Sequence, residues 1–332
     1  MTYSVGGLIQ ATDYNGFVST TVGGNINATW GTGATDAGYG QTALSTVSAG
    51  GTVTATQWAS LVNTIASMAN HQGTTITSRT APVVGNTISI LANVATDITS
   101  CYNNRGNASV SGTEYGVFTG TTSKTTATGS GAAAWTITFT HTVTFSSADA
   151  ARYFWNAGGI VKVKYGKSST GTDVDPDWNL FAGKCGVINI TGRVNSAAQT
   201  IVGVSYTGTT RIGGTGGTQT TLATTTGWYS LTGGAAATTL FQLNDDVSPY
   251  SGEFIRTTAA VNAGRTTLTL VTTWSSDGST YGADISGGTA TTSPATTITG
   301  TAPTTLVTYV PPSTTYLTSA AWGTPTIAAS VV

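Results

Sequence analysis

The longest unbroken alternation in the chain is WTITFTHTVTF, residues 135–145. It sets Trp135, Ile137, Phe139, Val143 and Phe145 on one side and threonines on the other. A period of two with one apolar face predicts a half-buried strand. Shorter segments repeat the pattern: GGIVKVKYG, GVINITG, GWYSLTG, TTLFQLN, GEFIRTTAAV, TTLTLVTTW and TTLVTYV, with Gly or Asp-Gly turns between them. Eight or more short strands with such turns predict an antiparallel β-sandwich. The tracts at 207–226 (TGTTRIGGTGGTQTTLATTT) and 286–300 (SGGTATTSPATTITG) read as exposed loops.

Before Gly106 the period changes to that of a helix. An internal repeat aligns GGLIQATDYNGFV at 6–18 with GGTVTATQWASLV at 50–62. In the second copy Trp58, Leu61, Val62, Ile65 and Met68 share one helical face, and in the first Tyr14, Phe17 and Val18 do so. Thr12 and Thr56 are the expected N-caps. A third helix is expected through Ile88, Leu91, Val94, Ala95, Ile98 and Cys101, capped by Asn86 or Thr87. The chain thus reads as α+β: a helical, internally repeated docking domain at 1–108, then a β-sandwich domain with short connecting helices at 109–332. Trp30, Tyr39 and Trp58 are more aromatic surface than three short helices hide, which points to docking on another chain.

A short helix is expected in FSSADAARYFWNAGG, residues 145–159, capped by Ser147 and ended by Gly158 or Gly159. Tyr153, Phe154 and Trp155 are consecutive, so they cannot share one helical face. One is expected to plug an open end of the sandwich and another to face a neighbouring subunit or domain.

Composition narrows the function. Of 332 residues only 25 are charged, the net charge is −1, and 72 are threonine. An average domain is about 25% charged. Threonine suits strands and keeps a face wet without charge. No basic patch for nucleic acid or membrane surfaces follows from this balance. The first residues, MTYSVGGLIQATDYNG, do not read as a signal peptide, and no segment has the roughly 18 apolar residues of a membrane helix. Cys101 and Cys185 are expected as free buried thiols.

Candidate chemistry is sparse. His71 ends a helix, where a partly charged imidazole suits the dipole, and His141 sits on the apolar register of its strand. No Ser-His-Asp arrangement is available. DVDPDWN at 173–179 lacks the Gly and Glu of a calcium loop, and Asp175 as cap before Pro176 accounts for it. Asp245, Asp246 and Glu253 read as a turn before they read as a glycosidase pair. GGTGG at 213–217 is neither a dinucleotide fingerprint nor a P-loop. No catalytic, cofactor or metal residue is assigned. Tyr14, Phe17, Trp30, Trp58, Leu61, Tyr153, Phe154 and Trp155 stand as packing or interface candidates.

The segments VGGLIQATDYNGFV, WGTG, GYGQ, VSAGGTVTATQWASLV and NHQGT resemble the N-terminal region of virion structural proteins of tailed phages, those of cyanobacterial phages in particular. SSADAARYFWNAGGIVKV, DWNLFAGKCGVI and GEFIRTTAAVN resemble a second module of phage tail-associated proteins, with Trp155 where a Phe is typical. The resemblance implies a non-enzymatic virion component, assembled in the host cytoplasm, at the tail, baseplate or fibre attachment. Its implied partners are copies of itself and other virion proteins, with no nucleic acid and no membrane insertion. The rival readings are a head decoration or neck fibre, and an adhesin binding host surface glycan through Trp228, Tyr229, Trp274 and Tyr281.

Overall fold

The helices come first in the chain, and local chemistry sets where they start. The computed structural model describes residues 10–19, 25–33, 37–85, 93–110, 113–119, 135–167, 175–192, 199–246, 252–276 and 303–332. Helix α1 spans Ala11–Val18 and α2 Ala55–Gln72. Their caps are Gln10 and Thr54, one pair of repeat-equivalent positions two residues ahead of Thr12 and Thr56. Thr54 Oγ1 accepts from Gln57 N at 3.3 Å while Thr54 N donates to Gln57 Oε1 at 2.8 Å, a reciprocal capping box. Gln10 N donates in the same way to Asp13 Oδ2 at 3.0 Å. The repeat is real in its register, and the carboxylate or amide three residues on selects the cap. Helix α3, Val94–Asn103, opens at Asn93 with φ +62°. The caps expected at Asn86 and Thr87 lie outside the described residues.

These helices share one small core. Trp58 is fully buried, with Tyr14 edge-on at 5.5 Å and Phe17 at 6.1 Å. Leu61, Ile65, Met68, Ile98 and Cys101 complete it. Two asparagines fasten the extended segment that crosses this core. Asn15 exchanges two 2.7 Å bonds with the backbone of Val47, and Asn27 exchanges two, at 2.8 and 2.9 Å, with Leu44. Trp58 is therefore covered by the helices, Tyr39 is buried in the core cluster of the β region, and Trp30 is half-buried with its indole N–H on Thr42 O at 2.9 Å. The excess aromatic surface expected at 1–108 is not left over. Intrachain packing consumes it, and the exposed large apolar side chains described there are Val83 and Val84.

The strands form two facing antiparallel sheets. The first runs β14 (Thr326–Val331), β3 (Trp135–Thr144), β12 (Thr267–Ser276), β11 (Phe254–Val261), β10 (Thr238–Asn244), β9 (Thr218–Leu222). The second runs β2 (Tyr115–Thr119), β13 (Thr304–Val310), β4 (Ile160–Gly166), β5 (Val187–Ile190), β8 (Thr209–Ile212). A small third sheet joins β1 (Asn107–Ala108), β6 (Gln199–Ile201) and β7 (Val204–Tyr206). This is the α+β arrangement with a larger antiparallel β region.

Ile137, Phe139, His141, Val143 and Phe145 all face the core, as the alternation requires. Some threonines do so too. Thr257 and Thr272 bond each other at 2.9 Å, Tyr165 Oη reaches Thr257 at 2.7 Å, and the Trp274 indole donates across the sandwich to Thr305 Oγ1 at 3.2 Å. Each of these inward hydroxyls finds a partner, which removes the cost of burying it.

Two local readings change. The tract at 207–226 is not a loop throughout: it carries β8 and β9. Gly213, Gly214, Gly216 and Gly217, all at positive φ, turn the chain from one sheet to the other. GWYSLTG is no strand but a 3₁₀ turn at Trp228–Ser230.

Helix α4, Ala148–Asn156, is capped by Ser147 Oγ, which accepts from Ala150 N at 3.0 Å, and it ends at Gly158 with φ +93°. Tyr153, Phe154 and Trp155 are all buried, in three directions. Phe154 meets Phe145 and Tyr309, at 5.3 and 6.1 Å. Trp155 stacks on Trp228 at 5.5 Å. The Tyr153 ring lies against Gly40, where a Cβ would stand 2.3 Å from it. None of the three is left for another subunit; the element that Tyr153 meets comes from the N-terminal part of the same chain. Around it Asn156 Nδ2 donates to Gly38 O at 2.7 Å, Arg152 to Thr32 O at 2.7 Å, and His71 Nε2 to Ala157 O at 3.1 Å.

Candidate functional site

The groups that could do chemistry are tied into the fold. His71 and His141 are fully buried. Burial drives the His71 pKa down to about 4 against the smaller opposing pull of the Ala157 carbonyl, so the imidazole is neutral and not the partly charged helix end expected. Cys101 and Cys185 are free and buried. Burial pushes the Cys101 thiol up to about 12, helped by Asp97, and it pushes Cys185 up as well, so neither is poised as a thiolate.

The carboxylates Asp245, Asp246 and Glu253 are tied to neighbouring elements. Lys184 of α5 (Asp175–Cys185) pairs with Asp245 at 3.5 Å and with Asp246. Lys184 and the Gly217 N–H, at 2.9 Å, hold the Asp246 carboxyl down to about 2. Glu253 accepts from Ser276 Oγ at 2.9 Å. Asp175 is the first residue of α5, and Asp173 lies outside the described residues. Among the described residues no three His, Cys, Asp or Glu side chains come together to hold a metal ion, and no helix is long and apolar enough to cross a membrane.

Of the sugar platform in the rival reading, the described residues are drawn into the fold. Trp228 and Trp274 are buried, and Tyr229 is half-buried with its hydroxyl on Arg152 O at 3.1 Å. Tyr281 is outside the described residues.

Two concavities stand out among the described residues. The larger, about 500 Å³, runs over the outer face of the second sheet beneath the β6–β7 hairpin. Ile160, Val187, Ile201 and Val310 line it, with Val202, Val204 and Ile212 at 68, 44 and 41% exposure. Its polar end is a fixed cluster. Glu114 takes hydrogen bonds from Lys162 at 3.1 Å, Lys164 at 2.5 Å and the Thr308 hydroxyl. Burial raises the Glu114 carboxyl, but these donors outweigh it and hold the group down to about 2.

The hairpin over this groove is strained. Val202 and Gly203 form a two-residue turn at φ +48° and +75°. Asn-Gly is the usual choice there, and a β-branched residue at positive φ is a true outlier. Val202→Asn is expected to stabilise the chain by about 1 kcal/mol in urea denaturation. A loss of stability would mean the valine is held by packing and not against its preference.

The second concavity, about 270 Å³, lies between the edge strand β2 and the connection from β13 to β14. Tyr115, Tyr309, Pro311, Pro312, Thr314, Ser319, Trp322 and Thr324 line it. Sequence reasoning passed over both places. VG inside a short alternating run was the signal for the first, and the uncharged PPSTTY tract after a strand for the second.

The chain matches no protein-family model, no curated protein and no solved structure.

Proposed function

We propose that this chain is a non-enzymatic structural component of a tailed-phage virion, at the tail, baseplate or fibre attachment, and that it works through protein contacts. The observation that carries the reading is the groove under the β6–β7 hairpin. Three exposed aliphatic side chains surround it, one of them Val202 at positive φ. Strain kept at an exposed apolar position marks a site selected for something other than stability. The resemblance of the N-terminal and α4 segments to virion proteins supports the particle as the setting. So does the inert state of the histidines and thiols. The contact surface proposed is the outer face of the second sheet, not the N-terminal helices, because the aromatic residues of those helices are covered.

The test is immunogold labelling and peptide mass spectrometry of particles purified from an infected host carrying the gene. The chain is expected in stoichiometric, repeated copies on the tail. Its absence from purified particles, or its recovery only in the soluble lysate, would overturn the reading.

A further inference from the structure

The cleft at Tyr115 is built from uncharged parts held in place by bonds outside it. Tyr115 and Tyr309 are direct partners across β2 and β13, and their rings stack at 6.1 Å with 23° between planes. Tyr309 is nearly buried, yet Tyr115 remains 47% exposed. The opposite wall is the connection that follows Pro311 and Pro312. Its anchors are the buried side chains Leu317 and Trp322. Gln41 braces it from the N-terminal part of the chain, donating to Thr318 O at 3.2 Å and accepting from Thr318 N at 2.8 Å. Thr318 Oγ1 caps the following turn by accepting from Ala320 N at 3.1 Å, and Gly323 N closes it on Ser319 O at 2.8 Å.

We propose that this cleft binds a neutral saccharide unit. A sugar ring has a C–H face that lies on an aromatic ring and an edge of hydroxyls that both donate and accept. The cleft offers the exposed Tyr115 ring for the first and the hydroxyls of Thr314, Ser319 and Thr324 for the second. Among the described residues no charged side chain lines it, which disfavours an anionic or cationic ligand. Its volume, just under the usual range for small-molecule sites, fits one or two rings. A proline-rich peptide also uses aromatic grooves, but three hydroxyls around a single exposed ring favour a polyol. The inference holds whether or not the chain belongs to a virion.

The experiment is saturation-transfer NMR with calorimetry on the full chain. The probes are glucose, galactose, mannose, N-acetylglucosamine, maltose and lactose, beside gluconate and a hexaproline peptide. At least one neutral sugar is expected to bind saturably in the range of about 1 mM, the strength a single small subsite supports. Tyr115→Phe should keep that affinity and Tyr115→Ala should lower it by about tenfold or more, a loss of about 1.4 kcal/mol. Ser319→Trp, which fills the cleft from the wall opposite β2 and leaves the sequence of β2 unchanged, should abolish binding even if Tyr115→Ala disturbs the edge strand. Saturation by no neutral sugar, equal binding in all three variants, or binding of hexaproline or gluconate alone would each overturn the proposal.

Discussion

Phe154→Ala should lower the stability of the chain by about 3–5 kcal/mol in urea denaturation, the usual cost of removing a fully buried ring. The ring has no exposed surface and touches Phe145, Trp155 and Tyr309. Gly159 packs so closely on it that a Cβ there would lie 2.4 Å from the ring. The site cannot collapse easily, because α4 and both sheets hold the surrounding side chains. The cavity term should therefore be large. A loss below about 1 kcal/mol would mean that the end of the sandwich is filled some other way. Gly159→Ala should act in the same direction by overpacking the same spot.

The parts of this fold that were legible in the sequence are those where one period runs long enough to be unambiguous. Residues 135–145 alternate without interruption, and the observed β3 keeps that face inward. The helix from Trp58 to Met68 is equally clear. Misreadings came where short-range chemistry outweighs period. Thr12 and Thr56 look like caps until the partner three residues on is considered, and Asp13 and Gln57 select Gln10 and Thr54. β8 and β9 hide in a Thr/Gly tract because edge strands with little apolar content alternate weakly. GWYSLTG has strand-forming residues, but the stacking of Trp228 on Trp155 bends it into a turn.

The candidate site was less legible for a related reason. Sequence reasoning looked for aromatic side chains and assumed that they were available. Folding spends Trp228, Trp274, Tyr39 and Trp58 on the interior. The exposed side chains that matter, Val202 and Tyr115, sit in short segments where only tertiary placement reveals exposure. Tyr153 illustrates the same point from the other side. It meets a partner across a boundary drawn at residue 108, but that partner is Gly40 of its own chain.

His71 gives the second large expected effect, a loss of about 3 kcal/mol of stability between pH 7 and pH 4. The imidazole is packed edge-on to Tyr39 at 5.4 Å and donates to Ala157 O at 3.1 Å, with no exposed surface. Its pKa in the fold is about 4, against 6.5 for the ordinary side chain. Because the folded pKa is the lower one, the unfolded chain takes up the proton first as pH falls. The contribution is complete above about pH 6.5, declines by up to roughly 1.4 kcal/mol per pH unit, and is gone below about pH 4. Glu114 and Asp246, both held down to about 2, lose their favourable interactions only below about pH 4.5, so the window from 7 to 4.5 separates His71 from these two carboxylates. His71→Gln keeps a donor for Ala157 O and does not titrate. Its urea midpoint should fall by less across that window than the natural chain's. A level midpoint in both would show that the contact between α2 and the end of α4 opens enough to hydrate the ring. A parallel fall in both would assign the acid sensitivity to groups other than His71.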